Sequence, residues 1–390
     1  MPIAFDTTRW QQIRENHRTW WAGELDRPLV HLTLKGREPG RPEPALPSYE
    51  FASFYDLSVP AEAIADRWLY DLECREFLGD AFPFVCPNFG PGVIAAFLGL
   101  ELQNGNDTVW FHQPHDTPLE DLQFAFDPAN VWFRRTCDLY RAAAERFGGL
   151  VQLGMTDLGG NLDILASFRP GDRLLLDLLD APDAVDAVCW KAHDAWWRYF
   201  EELNRLIQPA HPGYTAWTPL YSESPYYILQ CDFAFMIGNE MFERFARPEL
   251  QATCRKLGNA FYHLDGVGQL NHLDSLLAIP ELKGIQWVPG AGKPGVTQWP
   301  DVYRKIREAG KLIQFFTSQD PCGWRTLEIL AEQLGSARGL MMYGEVPLEE
   351  EPQVREMLAR HGIDDRSEHR VHRQGGGRVG QETVRANDDC

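Results

Sequence analysis

From residue 149 onward the chain alternates short apolar runs with helical periods, and this rhythm constrains the fold more than any other feature. Strand-like runs fall at 150–155, 214–218, 260–264, 284–288, 311–316 and 339–343. Helical periods fall at 171–203, 240–258, 270–277, 299–309, 324–334 and 350–361. Apolar runs this short, joined to helices by short turns, suit parallel strands that are buried on both faces. Four such units in about 100 residues favour a (β/α)8 TIM barrel, for which about 250 residues is typical. A doubly wound sheet is the runner-up, but no Gly-x-Gly-x-x-Gly follows a strand, so a dinucleotide-binding version loses support.

The first 148 residues keep the rhythm less well. Apolar and aromatic residues at helical spacing (Trp10, Ile13, His17, Trp20, Trp21) predict an amphipathic helix over 9–26 as an N-terminal extension, and 28–34 reads as a strand. A Gly- and Pro-rich loop follows over 36–47, then helices over 60–76 and 128–148 with irregular strands and turns over 107–127 between them. The segment 364–390 has almost no large apolar residues and cannot offset its ordering entropy, so it is expected to be a disordered tail on one domain spanning 1–363.

The 390 residues carry 37 Lys+Arg against 56 Asp+Glu, a formal charge of −19. Nucleic acid and anionic membranes require positive surface, so neither is an expected partner. No apolar run is long enough to span a bilayer, and residues 1–20 are too polar for a signal peptide, which makes the expected location cytoplasmic. The eight cysteines show no tight spacing, so neither a disulfide framework nor a zinc knuckle is indicated.

In a barrel, the residues just after each strand converge on one mouth. Here they are Asp157, His263 and Asp265, 289–292, 317–320 and 343–345. His263 and Asp265 stand at i and i+2 on an extended run, so both side chains point one way. They can serve one metal or one proton, or only hydrogen-bond at a strand end. Asp163 suits a helix cap or turn, Cys231 a buried thiol, and Asp232, set behind apolar residues, a proton-transfer role. Aromatic residues are dense around these positions, Trp217, Tyr221 and Trp287 among them, as in a pocket for a flat apolar ligand.

The segments Pro87-Asn-Phe-Gly-Pro-Gly92, Asp163-Ile-Leu-Ala-Ser-Phe-Arg-Pro-Gly171, Cys231-Asp232 with Met241-Phe-Glu-Arg-Phe-Ala-Arg-Pro248, and Tyr262-His-Leu-Asp-Gly266 resemble the uroporphyrinogen decarboxylase superfamily, which includes methylcobamide:coenzyme M methyltransferases. The resemblance implies a TIM barrel and a small-molecule substrate, met by Asn88, Trp217, Tyr221 and Trp287. The methyltransferases bind zinc through His-x-Cys and a later Cys, where this chain has His263-Leu-Asp265 and, nearest the second place, Glu345. It thus implies corrinoid-linked methyl transfer, with His263, Asp265 and Glu345 around a divalent metal, zinc foremost, Asp157 or Asp232 moving a proton, and a corrinoid protein as partner. One alternative is a metal-free decarboxylase or lyase acting on a tetrapyrrole-like or other carboxylated substrate. Another is a non-catalytic subunit of a corrinoid protein.

Overall fold

The computed structural model describes residues 3–363 apart from 107, 114 and 116, so the tail expected over 364–390 lies outside the described residues. In chain order the strands are β1 (Leu29–Lys35), β2 (Arg75–Gly79), β3 (Phe84–Val85), β4 (Glu101–Asn104), β5 (Val109–His112), β6 (Gln152–Leu153), β7 (Tyr226–Leu229), β8 (Asn259–Asp265), β9 (Gly284–Val288), β10 (Leu312–Phe316) and β11 (Leu340–Pro347). Seven of them form one sheet in the order β2-β1-β11-β10-β9-β8-β7. Every pairing in it is parallel except β1 with β2. The result is a mixed α/β fold whose mostly parallel central sheet is flanked by helices. Strands β7 and β9 are buried along their whole length, which is why they read as unbroken apolar runs.

The ladder does not close into a ring among the described residues. β3 and β6 pair with each other, in parallel, as a separate two-stranded piece. It is tied toward β7 by Met155 N donating to Thr215 O at 2.8 Å and by Leu158 N donating to the Tyr227 hydroxyl at 2.7 Å. The remaining strands, β4 and β5, form a hairpin on the side.

Four expected elements change. The helix expected over 60–76 stops at Glu73, because Arg75–Gly79 pairs antiparallel with β1 and a ladder outweighs local helical preference. Residues 214–218 make only an isolated bridge from Tyr214 to Ser222, and the strand of this region is β7, beginning at Tyr226. The period over 171–203 is two helices, Arg173–Asp180 and Pro182–Ile207, since Pro182 lacks the N–H that would continue the first and suits the first turn of the second. That over 240–258 contains a π turn, Phe242–Ala246, just before Pro248.

The N-terminal helix, Arg9–Trp21, lies across the amino ends of the strands. Its indole N–H groups donate to Leu150 O from Trp10 (3.2 Å), to Leu340 O from Trp20 (3.3 Å) and to Tyr221 O from Trp21 (2.8 Å). The opposite, carboxyl ends of the strands are left to the side chains described next. No helix among the described residues is long and apolar enough to cross a membrane.

Candidate active site

Strand β8 ends in His263-Leu-Asp265, and its extended backbone sends both polar side chains to the same face. Gly266 then turns the chain with φ of +84°, a conformation that a side chain would strain. From the neighbouring strand, β7 runs through Gln230-Cys231 into a 3-10 turn, Asp232–Met236. The buried Asp163 carboxylate fixes this turn: Oδ1 accepts from Phe233 N at 2.8 Å. Asp232, His263 and Asp265 are thereby brought together, each with a ligand atom within 4.8 Å of the others. His263 Nε2 stands 3.8 Å from Asp265 Oδ2.

The other face of the imidazole is held by a row of residues that sit in register across four strands, His263 on β8, Gln286 on β9, Gln314 on β10 and Met341 on β11. Gln314 Nε2 donates to the Met341 sulfur at 3.3 Å, and Gln286 Nε2 donates to Gln314 Oε1 at 2.6 Å. Gln286 therefore presents its oxygen to His263 Nδ1, at 2.5 Å. An acceptor there requires a proton on Nδ1, which leaves Nε2 to face the two carboxylates as acceptor, metal ligand or proton carrier. Burial alone would lower the His263 pKa, but the nearby Asp265 and Asp232 carboxylates outweigh it, and the net shift is upward.

Three acids nearby, Asp157, Asp163 and Asp232, are shifted upward. Burial raises Asp157 to about 6, against opposing N–H donors from Gly159 and Gly92 and the charge of His263. Asp163 is raised by burial and then by the charge of Asp232. Asp232 keeps solvent contact, yet the protein crowding its carboxyl raises it too, with His263 pulling the other way. Carboxyls raised above their usual range in one cleft suit acid–base chemistry.

Beside this group opens a cavity of about 590 Å³. Asn88, Asp157 and Trp217 line it, as do Arg75, Tyr343 and Glu345. The Trp217 ring meets the His263 ring edge to face, with centroids 5.2 Å apart, and so joins the cavity to the Asp232–His263–Asp265 group. No family model matches the chain, and no curated protein matches it either. The resemblance named above therefore rests on the quoted segments alone.

Of the residues singled out from sequence, Asp232, His263 and Asp265 assemble, and Asn88, Asp157 and Trp217 reach the adjoining cavity. Glu345 also lines the cavity but stands apart from the group, and Tyr221 and Trp287 fall elsewhere. Glu345 is not among the grouped ligand atoms, because its carboxylate is ion-paired to Lys35 and, at 2.7 Å, to Arg75. Tyr221 is buried in an aromatic cluster with Trp10 and Phe82, its hydroxyl donating to Pro212 O. Trp287 alternates with Gln286 on β9, so it faces the helix layer and packs on Trp299. Cys231 is a buried free thiol, as expected, and burial pushes its pKa well up.

Gln286, Gln314 and Arg75 escaped the sequence reading. A signal for the glutamines exists in Ile285-Gln286-Trp287 and Ile313-Gln314-Phe315: one amide at the centre of an otherwise apolar strand must find a buried partner.

Proposed function

We propose that the protein is an enzyme whose Asp232, His263 and Asp265 hold a divalent cation beside a small-molecule substrate. The observation that carries this reading is the approach of their ligand atoms to within 4.8 Å of one another at the carboxyl ends of the strands. The donor set is one imidazole nitrogen and two carboxylates, with the tautomer of His263 fixed by Gln286 so that Nε2 is available. Such a set suits zinc, manganese or iron(II) and contains no thiolate. Bound there, the cation would supply Lewis-acid polarisation of a substrate heteroatom. Asp157 then holds or moves a proton at its carboxyl, and Trp217 shields the imidazole from water.

We read the eight segments β1, β3, β6, β7, β8, β9, β10 and β11 as the staves of a (β/α)8 barrel of the uroporphyrinogen decarboxylase kind. Supporting this, the segments that carry the resemblance meet in space: Asn88 lines the cavity, Gly92 N donates to Asp157 at 3.4 Å, Asp163 caps the turn of Asp232, and His263 and Asp265 complete the group. On that reading the reaction is methyl transfer from a small methylated donor to a corrinoid borne by a partner protein. Metal analysis and calorimetric titration with Zn²⁺ and Mn²⁺ test the centre, with about one equivalent expected, and affinity falling at least about 100-fold in Asp265→Ala and in His263→Ala. Wild-type protein that neither carries nor takes up metal would remove the metal. Formation of methylcobalamin from cob(I)alamin and methylated donors tests the transfer.

A second reading, a metal-free decarboxylase or related lyase, is favoured by Asp157, a carboxyl that keeps its proton to about pH 6 beside the cavity and so suits protonation of a carbanion after loss of CO2. Mass spectrometry of uroporphyrinogen and other carboxylated candidates after incubation separates the two.

A further inference from the structure

Aromatic rings make up much of the cavity wall, among them Trp68, Phe77, Phe84 and Tyr343. Among the described residues that line it, Arg75 is the one fixed cation. His31 also lines it, but burial pushes its pKa down to about 3, so it is neutral, and its buried Nδ1 has no hydrogen-bond partner in the protein. The acids along the wall are largely accounted for. Asp71 accepts from Arg67 Nε at 3.0 Å and from the Ser48 hydroxyl at 2.8 Å, Asp157 accepts from Gly159 N at 2.9 Å, and Glu50 is exposed.

Glu345 is shared between two cations, Arg75 and Lys35, so the three groups together carry one positive charge. The Arg75 pair with Glu345 uses Nη2, and a guanidinium has five N–H donors in a planar fork, so a second planar anion can be received on the remaining edge. A volume of about 590 Å³ is that of a site for a ligand of a few rings. One lining cation suits one anionic group, and a ligand with many carboxylates would leave most of them unpaired in an aromatic environment.

We propose that the cavity binds a flat aromatic monocarboxylate, with the carboxylate on Arg75, the rings between the aromatic walls, and the far end at Asp157 and Trp217, next to the Asp232–His263–Asp265 group. Glu345 is then a positioning residue that orients the Arg75 guanidinium. The inference rests on the cavity being the substrate site, but it does not depend on which ion the neighbouring group holds.

The test is binding to the full chain, followed by tryptophan fluorescence and calorimetry. The probes are 4-hydroxybenzoate, naphthalene-2-carboxylate and biphenyl-4-carboxylate, each beside its uncharged amide. At least one acid should bind, and about tenfold or more tighter than its amide, as expected for a charge-assisted hydrogen bond of 1.5 kcal/mol or more. Arg75→Gln should erase that preference while Arg75→Lys keeps part of it, a pattern that a merely structural Arg75–Glu345 pair would not produce. Binding by no acid of the set, equal binding of acids and amides, or a preference that survives in Arg75→Gln would each overturn the proposal. So would an acid preference lost in Asp265→Ala but kept in Arg75→Gln, since the acid would then sit at the metal group. Metal uptake without acid binding rejects this inference alone, and acid binding without metal uptake rejects the metal centre alone.

Discussion

At the scale of single residues, the cost of building this site is clearest at Asp157. Its carboxyl accepts from Gly159 N at 2.9 Å and from the Tyr227 hydroxyl at 3.4 Å, yet burial still raises its pKa from 3.8 to about 6. Below about pH 4 the folded and unfolded chains both hold the proton, and nothing is lost. As pH rises from there to about 6 the unfolded chain releases it first, so stability falls across that window and stays reduced above it. Two pKa units correspond to roughly 3 kcal/mol. Asp157→Asn keeps an acceptor for Gly159 and cannot ionise, so in chelator-treated protein it should be more stable than wild type at pH 8, by up to that roughly 3 kcal/mol. The advantage should vanish by about pH 4. Urea unfolding at the two pH values measures it, and a difference that is flat with pH would mean that the carboxyl is not desolvated. The same substitution should abolish any turnover that needs this proton, an ordinary opposition between stability and function.

At the scale of elements, legibility followed periodicity and stopped where periodicity cannot distinguish faces. The strand ending in His263 and Asp265 was readable because an i, i+2 polar pair closes an apolar run, and Asp232 because an acid directly follows one. β2 was hidden in the tail of a helical period, and β7 lay beyond a Tyr214–Ser222 bridge that reads as a strand of its own. Aromatic density marked the right region but not the right side of the sheet: Trp287 is one residue from Gln286 and therefore on the opposite face. What aligns the imidazole is a property of the register, since Gln286, Gln314 and Met341 are neighbours only once β9, β10 and β11 are paired. Gln286→Leu removes the acceptor for His263 Nδ1 while preserving volume. It should lower metal affinity about 10- to 100-fold with little change in folding, as outer partners of metal-binding histidines do. Gln314→Leu, one step further along the row, should cost less. Calorimetric metal titration and the imidazole NMR signals report both, and equal affinity in all three proteins would show that the row only fills the core.

At the scale of the whole molecule, the two ends of the sheet carry different duties. The carboxyl ends hold the titratable groups and the cavity, while the amino ends are covered by the helix Arg9–Trp21. Trp20 is central there: it is 1% exposed, stacks on Phe261 of β8 with centroids 5.9 Å apart, and donates to the carbonyl of Leu340, where β11 begins. One helix thus ties together strands that are adjacent in the sheet order only through two others, and its bond to Leu340 spans 320 residues of sequence. Apolar side chains from Ile3 to Ile363 belong to one buried cluster, so loosening this end should be felt throughout. Trp20→Ala should lower stability by about 3 to 5 kcal/mol, the usual cost of emptying a large aromatic site. Fluorescence and circular dichroism followed through urea unfolding should shift together to a lower midpoint. Metal affinity per folded molecule should not change, because the helix touches the strands at the end remote from Asp232, His263 and Asp265. An early separate transition in the variant would mean that the helix is a detachable cover. A loss of metal affinity without loss of stability would mean that the two ends of the sheet are coupled, and that the division of duties drawn from the strand directions is wrong.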